Sequence, residues 1–310
     1  MTRDSITRRR MLRDSAAALG ALTAGAAALP GTLSAHDDGR AHDVARRTST
    51  ALPRTGGRLR QSVCRWPFSR IPLRDFCRTA ASLGLEAIDL LPPDEWEQVA
   101  EFGLVCSMGY PGPVRGDFIT RGFNDRRNHA LLLGELEAAI PLAARLGVPN
   151  LIGMFGNREG RSDADGIDAC AEGLRRIAPL AEEHGVTICL ELLNSKVDHP
   201  DYHGDRTAFG VRVMEAVGSP RVKLLYDIYH MQVMEGDVIR TIRDNRAHIA
   251  HFHTAGVPGR HELDGTQELN YRAIAAAIAD LGFTGFVAHE FIPTREPAVA
   301  LREAIEACTA

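Results

Sequence analysis

Short apolar runs alternate with longer amphipathic segments along most of this 310-residue chain. The short runs have the length of buried strands, and we predict eight of them, at residues 59–65, 85–91, 104–108, 150–155, 186–192, 222–227, 248–254 and 285–291. Apolar positions at a helical period predict helices between most of them, at residues 73–83, 130–146, 167–183, 208–217, 238–245 and 271–281. Glycine readily ends a helix in the left-handed conformation, and it stands at four helix-to-strand junctions: Gly84, Gly147, Gly185 and Gly282.

This alternation of strands and helices favours a parallel sheet, and eight strands favour its closure into a (β/α)8 barrel, the TIM barrel. An open, doubly wound sheet is the alternative architecture. Dinucleotide-binding sheets of that type carry a glycine-rich phosphate loop after a strand, and no predicted strand is followed by one here. The connection at residues 109–128 is unusually long, and we expect such a loop to cover a functional site.

The amino-terminal residues lie outside this pattern. Residues 7–13 are basic, residues 15–28 are an uncharged Ala/Gly/Leu stretch, and Leu33-Ser34-Ala35 resembles a cleavage sequence. This order is typical of an export signal, and its arginine pair resembles a twin-arginine signal, whose pathway carries folded proteins. We therefore predict a signal peptide at 1–35, a linker at 36–57 and a catalytic domain at 58–310 in an exported, periplasmic or secreted protein. A retained membrane anchor is the alternative, but the apolar stretch is shorter than the about 20 residues that span a bilayer.

Composition and charge limit the classes of binding partner that are expected for this protein. The formal net charge is −4 and the pI is about 6.3, which disfavours nucleic acid and anionic membrane as partners. A small molecule is therefore the expected partner, and the oligomeric state stays open. The six cysteines form no Cys-x-x-Cys pair, and several lie within apolar runs, so we expect buried thiols rather than a disulfide framework.

Four consecutive predicted strands end on a polar side chain that could bind a metal. These side chains are Glu191, Asp227, His253 and Glu290. In a TIM barrel the carboxyl ends of the strands meet at one mouth, where the chemistry takes place. Three carboxylates and one imidazole suit Mg²⁺ or Mn²⁺ and are acceptable for Co²⁺ or Zn²⁺. The sequence therefore predicts a divalent metal site.

Two further histidines lie in these strands. His251 shares a face with His253 because side chains alternate along a strand, but it lies one layer deeper. We assign it to packing or to support of a metal ligand. His289 is expected to point away from the mouth, and it receives no role.

The segments that carry these residues resemble the hydroxypyruvate isomerase family. They are ELLNSK (191–196), YDIYHMQVMEGD (226–237), HFHTAGVPGRHE (251–262), GTQELNY (265–271) and VAHEF (287–291). That family belongs to the xylose-isomerase-like barrels, together with the ketose 3-epimerases. Residues 186–291 carry most of the resemblance, residues 59–160 fit only through their strand spacing, and the first 58 residues have no counterpart.

The resemblance implies a divalent metal held by the four residues at the strand ends. It also implies that Glu191 and Glu290 form the acid–base pair, and that His230 and Arg260 contact the substrate. Two positions depart from the family pattern, and the loop at residues 254–257 also differs from that of the bacterial isomerases. Some hydroxypyruvate isomerases have Gln at the position of His253, where the epimerases have His, and Val197 stands about where epimerases have a further Glu. Lys196 and Asn194 follow Glu191 closely and are weaker candidates for lining the pocket.

The expected reaction is enediolate proton transfer that interconverts hydroxypyruvate and tartronate semialdehyde, or a related small hydroxy-carbonyl compound. A metal can polarise the carbonyl, while two carboxylates move the proton. An arginine can pair with a substrate carboxylate in a bidentate manner. Three alternatives remain: a sugar or ketose 3-epimerase or keto-sugar lyase on the same site, a barrel that binds metal or sugar without catalysis, and a DNA repair endonuclease, which the acidic charge disfavours.

Overall fold

The computed structural model describes residues 57–310. The predicted signal peptide (1–35) and residues 36–56 of the predicted linker lie outside the described residues, and export stays a prediction. Within the described part of the chain, no helix is both long and apolar enough to cross a membrane.

Eight parallel strands form a closed barrel in the order β1 to β8, and β8 pairs with β1. The strands are β1 (Arg60–Cys64), β2 (Ala87–Leu91), β3 (Val105–Gly109), β4 (Asn150–Met154), β5 (Thr187–Glu191), β6 (Val222–Asp227), β7 (Ile249–Thr254) and β8 (Phe286–His289). This topology confirms the predicted TIM barrel and excludes the open sheet. Most strand residues are buried, as expected for a parallel sheet covered by helices on its outer face.

Nine α-helices lie in the described range. They are α1 (Leu73–Ser82), α2 (Trp96–Ala100), α3 (His129–Leu146), α4 (Asp163–His184), α5 (Thr207–Val217), α6 (Ile228–Met234), α7 (Val238–Asn245), α8 (Tyr271–Asp280) and α9 (Pro297–Ala307). Six of them match the predicted helices within a few residues. Gly147 and Gly185 end α3 and α4 with φ angles of 73° and 70°, the left-handed conformation that the sequence predicted.

Helices α2, α6 and α9 were not predicted from the sequence pattern. Helix α6 matters for the site because it begins at Ile228, directly after Asp227 ends β6. The Asp227 side chain caps this helix, and its Oδ1 accepts a hydrogen bond from the backbone N–H of His230 at 3.2 Å. One turn of chain therefore places Asp227 and His230 side by side.

The loop between β3 and α3 packs against the loop that follows β4. The backbone N–H groups of Phe123 and Asn124 donate to the carbonyls of Met154 and Phe155, at 3.0 Å each. The role of residues 109–128 as a cover over the site stays a prediction. The six cysteines are all buried free thiols, which confirms the expectation from the sequence.

Candidate metal centre

The four predicted ligands come together at the carboxyl-terminal mouth of the barrel. Glu191 ends β5, Asp227 ends β6, His253 lies near the end of β7, and Glu290 directly follows β8. One ligand atom from each lies within 4.8 Å of the others, and all four residues are buried. Each side chain is delivered by a neighbouring parallel strand, so the spacing of the strands sets the spacing of the ligands.

The donor atoms of this cluster fit a divalent cation. His253 Nδ1 lies 2.9 Å from Glu290 Oε2 and 3.3 Å from Glu191 Oε1. Glu191 Oε1 is buried and has no hydrogen-bond partner among the described residues. A buried carboxylate oxygen without a partner is costly, and coordination of a cation would remove that cost. Three carboxylates and one imidazole are also a suitable ligand set for Mg²⁺ or Mn²⁺.

The pKa values of two of these carboxylates, Asp227 and Glu290, shift in opposite directions. Burial raises the pKa of Asp227 to about 8, and repulsion from Glu290 adds to the rise, although Arg260 opposes it. Burial also acts to raise the pKa of Glu290. There the charges of Arg260 and His253 outweigh burial, and they hold the pKa well below its usual range. Without a cation the cluster therefore keeps a proton on Asp227 at neutral pH.

Asp89 on β2, which was not among the predicted site residues, supports His253 from the side opposite the ligand cluster. Its Oδ1 lies 3.1 Å from His253 Nε2. Because a carboxylate at Nε2 holds the ring proton there, Nδ1 is free to face the ligand cluster. Burial alone would lower the pKa of His253, but Cys64, Glu290 and the hydrogen bond to Asp89 raise it well above its ordinary value.

Asp89 also binds a second layer of polar side chains. Its Oδ2 accepts a 2.6 Å hydrogen bond from Ser107 and lies 2.9 Å from His251 Nε2. This contact agrees with the supporting role predicted for His251. The strand is irregular here, because its pairing with β3 shifts on both sides of Asp89 and Leu90 has a φ of 58°. A left-handed leucine is strained, and such bulges re-aim side chains near active sites.

Arg260, for which the resemblance implied a contact with the substrate, lies beside the four predicted ligands. It is buried, and its Nη2 donates to Glu290 Oε2 at 2.5 Å and lies 3.4 Å from Asp227 Oδ2. Its guanidinium lies between two aromatic rings, 5.2 Å from the centre of Trp66 and 5.5 Å from that of Tyr229. Trp66 follows β1 and was not predicted as a site residue, yet its Nε1–H donates to Glu290 Oε1 at 2.5 Å.

Of the other predicted positions, His230 and Asn194 lie on the side of the ligand cluster, and Lys196 points away from it. His230 is buried, and its Nε2 lies 3.5 Å from Asp227 Oδ2. Asn194 is buried against His230. Lys196 does not face the ligands, because its ammonium group donates to backbone carbonyls at the end of α6. His289 bonds to Thr254 and Gln61 inside the barrel wall, which agrees with its having no role at the mouth.

A family model described as a xylose isomerase-like TIM barrel matches residues 77–310. The chain belongs to the xylose isomerase-like TIM barrels. The match includes all eight barrel strands except β1, and it contains every predicted ligand and substrate-contacting residue.

Curated relatives and solved structures agree with this membership. This xylose isomerase-like barrel is 29% identical over 233 residues to a putative hydroxypyruvate isomerase of Homo sapiens, covering 74% of this chain and 77% of that protein. It is 27% identical over 236 residues to the 2-oxo-tetronate isomerase of Pectobacterium atrosepticum, covering 73% and 88%. A crystal structure of AP endonuclease, family 2, from Brucella melitensis superposes with a TM-score of 0.69 and 25% identity, covering 78% and 97%.

Proposed function

We propose that this chain is a divalent-metal-dependent isomerase that interconverts hydroxypyruvate and tartronate semialdehyde, or acts on a closely related small 2-keto acid. The chain is an isomerase, because the curated relatives that cover most of its barrel are named as isomerases of hydroxypyruvate and of 2-oxo-tetronate. Metal dependence is supported by the buried ligand cluster. The choice of an acid as substrate rests on one observation, the buried guanidinium of Arg260 beside that cluster.

Arg260 has binding capacity that its neighbours do not use. Its Nε is buried and has no hydrogen-bond partner among the described residues. A guanidinium held between two aromatic rings keeps its orientation, and it suits a carboxylate better than a neutral hydroxyl. The carboxylate of a 2-keto acid would satisfy Nε and bring the adjacent carbonyl towards the ligand cluster.

Glu191, Asp227, His253 and Glu290 would hold the metal. When bound, Mg²⁺ or Mn²⁺ supplies Lewis-acid stabilisation of negative charge on the substrate oxygens. The protein supplies the remaining parts: Arg260 orients the acid, and the buried cluster limits access of water.

The proton transfer is assigned to Glu191 and Glu290. One carboxylate removes a proton from C3 of hydroxypyruvate to give the enediolate, and a proton is then delivered to C2, while the hydroxyl proton moves from O3 to O2. General acid–base catalysis of this kind contributes about 10²–10⁴-fold in rate. Glu290 is held by Trp66 and Arg260, whereas Glu191 Oε1 has no such donor.

The test is turnover in D₂O by the purified protein loaded with Mg²⁺ or Mn²⁺. We expect deuterium to enter hydroxypyruvate and tartronate semialdehyde to form, and both to stop when a chelator removes the metal. Glu290→Gln should abolish exchange while the protein remains folded. Absence of exchange into any 2-keto acid by metal-loaded protein would refute the proposal.

A ketose 3-epimerase is the second candidate, and His253 favours it. The resemblance associates histidine at this position with epimerases, and glutamine with some hydroxypyruvate isomerases. Arg260→Met separates the two candidates, because a charge-assisted hydrogen bond contributes about 1.5–3 kcal/mol. For an acid substrate we expect KM to rise about 10- to 100-fold in this variant. Exchange into a ketose that is insensitive to Arg260→Met would favour the epimerase.

A further inference from the structure

His230 lies between the ligand cluster and a set of side chains that has no assigned part in the reaction. It belongs to the first turn of α6 and is fully buried. Its Nε2 faces the cluster, 3.5 Å from Asp227 Oδ2. Its Nδ1 faces Asn194, whose backbone N lies at 3.1 Å and whose side-chain Nδ2 lies at 2.7 Å.

The orientation of the Asn194 amide follows from its other hydrogen bonds. Its Oδ1 accepts from the backbone N–H groups of Val197 and Asp198, at 3.0 and 2.9 Å. Its Nδ2 donates to Asp198 Oδ2 at 2.6 Å. A flipped amide would place Oδ1 against a carboxylate and Nδ2 against two N–H donors, losing all three bonds. Nδ2 is therefore the atom that faces His230.

Two N–H donors thus converge on Nδ1 of His230. A proton on Nδ1 would face both donors, so Nδ1 must be the acceptor and the ring proton must be on Nε2. The bond made by one ring nitrogen of a histidine sets the state of the other. We propose that Asn194 is a positioning residue, which fixes His230 as the tautomer that presents an N–H donor to a substrate oxygen in the ligand cluster.

This tautomer matters for the chemistry, and that part of the inference rests on the proposed function. Negative charge develops on the substrate oxygens as the enediolate forms, and a preorganised N–H donor stabilises it. The other tautomer would direct a lone pair at the same oxygen and repel it. Asn194 would then act on the rate through His230 without touching the substrate.

Asp198 and Tyr229 hold the amide in place. Asp198 Oδ2 accepts from the hydroxyl of Tyr229 at 2.8 Å as well as from Asn194. The Tyr229 ring packs against the His230 ring with a centroid distance of 5.0 Å. The set of Asn194, Asp198 and Tyr229 therefore joins the loop after β5 to α6, and Asn194 donates to Nδ1 of His230.

The first test measures the tautomer directly. The full chain, labelled with ¹⁵N-histidine and loaded with Mg²⁺, is studied by long-range ¹H–¹⁵N correlation, and His230→Gln identifies the His230 signals among those of the twelve histidines. We expect the pattern of a ring protonated only at Nε2. A pattern with a proton on Nδ1 would overturn the proposal. This readout needs no turnover, so an absence of hydroxypyruvate isomerisation would refute the proposed function and leave the tautomer assignment intact.

The second test exchanges the two partner side chains. The double variant Asn194→Asp/Asp198→Asn keeps one carboxylate and one amide in contact, but it places the carboxylate on Nδ1 of His230. The backbone N–H of residue 194 still faces Nδ1 in this variant, but a carboxylate on Nδ1 attracts the ring proton more strongly than one N–H donor opposes it. We therefore expect the ring proton to move to Nδ1 and kcat to fall about 10- to 100-fold, as for other residues that orient a site histidine. Mg²⁺ affinity and the midpoint of urea unfolding should be retained.

Each outcome of this exchange is decisive. An unchanged tautomer would show that the Asn194 side chain does not control it and would overturn the proposal, and an unchanged kcat with a moved proton would remove the donor role of His230. If the double variant does not fold, Tyr229→Phe replaces it, because this change removes only the hydroxyl bond to Asp198. There we expect the Nε2–H pattern to persist, since both donors to Nδ1 remain, and its loss would contradict the proposal.

Discussion

Metal binding should be coupled to the release of protons from the ligand cluster. Burial raises the pKa of Asp227 to about 8, and the pKa of His253 lies well above its ordinary value because its acidic neighbours outweigh burial. Both groups therefore carry a proton at pH 7 in the metal-free protein. A metal needs the Asp227 carboxylate and the His253 Nδ1 lone pair, so both protons must leave when it binds.

The sign and size of the pH effect follow from this linkage. Each released proton makes the apparent Kd about tenfold tighter per pH unit, which is about 1.4 kcal/mol. With two protons we expect the Kd for Mn²⁺ to fall up to about 100-fold per unit between pH 6 and 7, and only about tenfold per unit above pH 8, where Asp227 is already ionised and His253 alone still releases a proton. Affinity is therefore lost on acidification.

Isothermal titration calorimetry in buffers of different ionisation enthalpy measures the released protons directly. Asp227→Asn and His253→Gln each keep a neutral ligand atom of similar reach, and each should remove about one proton from the count. Asp280→Asn is the matched control, because Asp280 lies on the surface with 63% of its side chain exposed. A Kd that is independent of pH between 6 and 8 would refute the reasoning about the cluster.

Three further predictions concern the support of the site and the fold. Asp89→Asn keeps an oxygen near His253 but removes its charge, and we expect metal affinity to fall about 10- to 100-fold by calorimetry; unchanged affinity would contradict the role of Asp89. In Gly122→Ala the added Cβ would lie 2.0 Å from the carbonyl carbon of Phe155, and urea unfolding should show a loss of about 1–3 kcal/mol. Gly116→Ala is its control, since its Cβ would meet no atom within 4 Å. Finally, a thiol reagent should modify no cysteine of the native protein and all six in urea; rapid labelling of native protein would disprove their burial.

The sequence predicted which four side chains meet at the mouth of the barrel, because they share one local signal. Each is a polar side chain at the end of an apolar run, and in a parallel barrel all strand ends meet at one mouth. This signal did not identify Arg260, because an arginine in a loop carries no local signal of burial. Only the resemblance pointed to it.

The contact between Asp89 and His253 could not be predicted from local sequence signals. A carboxylate inside the apolar run LEAIDLL is a local signal of a buried functional acid. Its partner could not be found in this way, because His253 lies 164 positions further along the chain and on the far side of the ring of strands. Only the closure of the barrel brings the two side chains together.

Helix α6 was missed for a different reason. Its sequence IYHMQVM is largely apolar and lacks a polar face, so the periodicity that identifies surface helices is absent. It also begins without a linker after β6. The tautomer of His230 depends on this helix and on the amide orientation of Asn194, and neither can be obtained from the spacing of residues.

The buried thiols have a consequence for how this protein matures. All six cysteines are reduced and buried, and none is cross-linked to another, so the barrel owes none of its stability to oxidation. A chain of this kind can complete its folding in a reducing compartment. Its folding would not depend on transfer to an oxidising compartment. The predicted twin-arginine signal would require folding before export, and a barrel without disulfides can fold at that stage without any oxidative step.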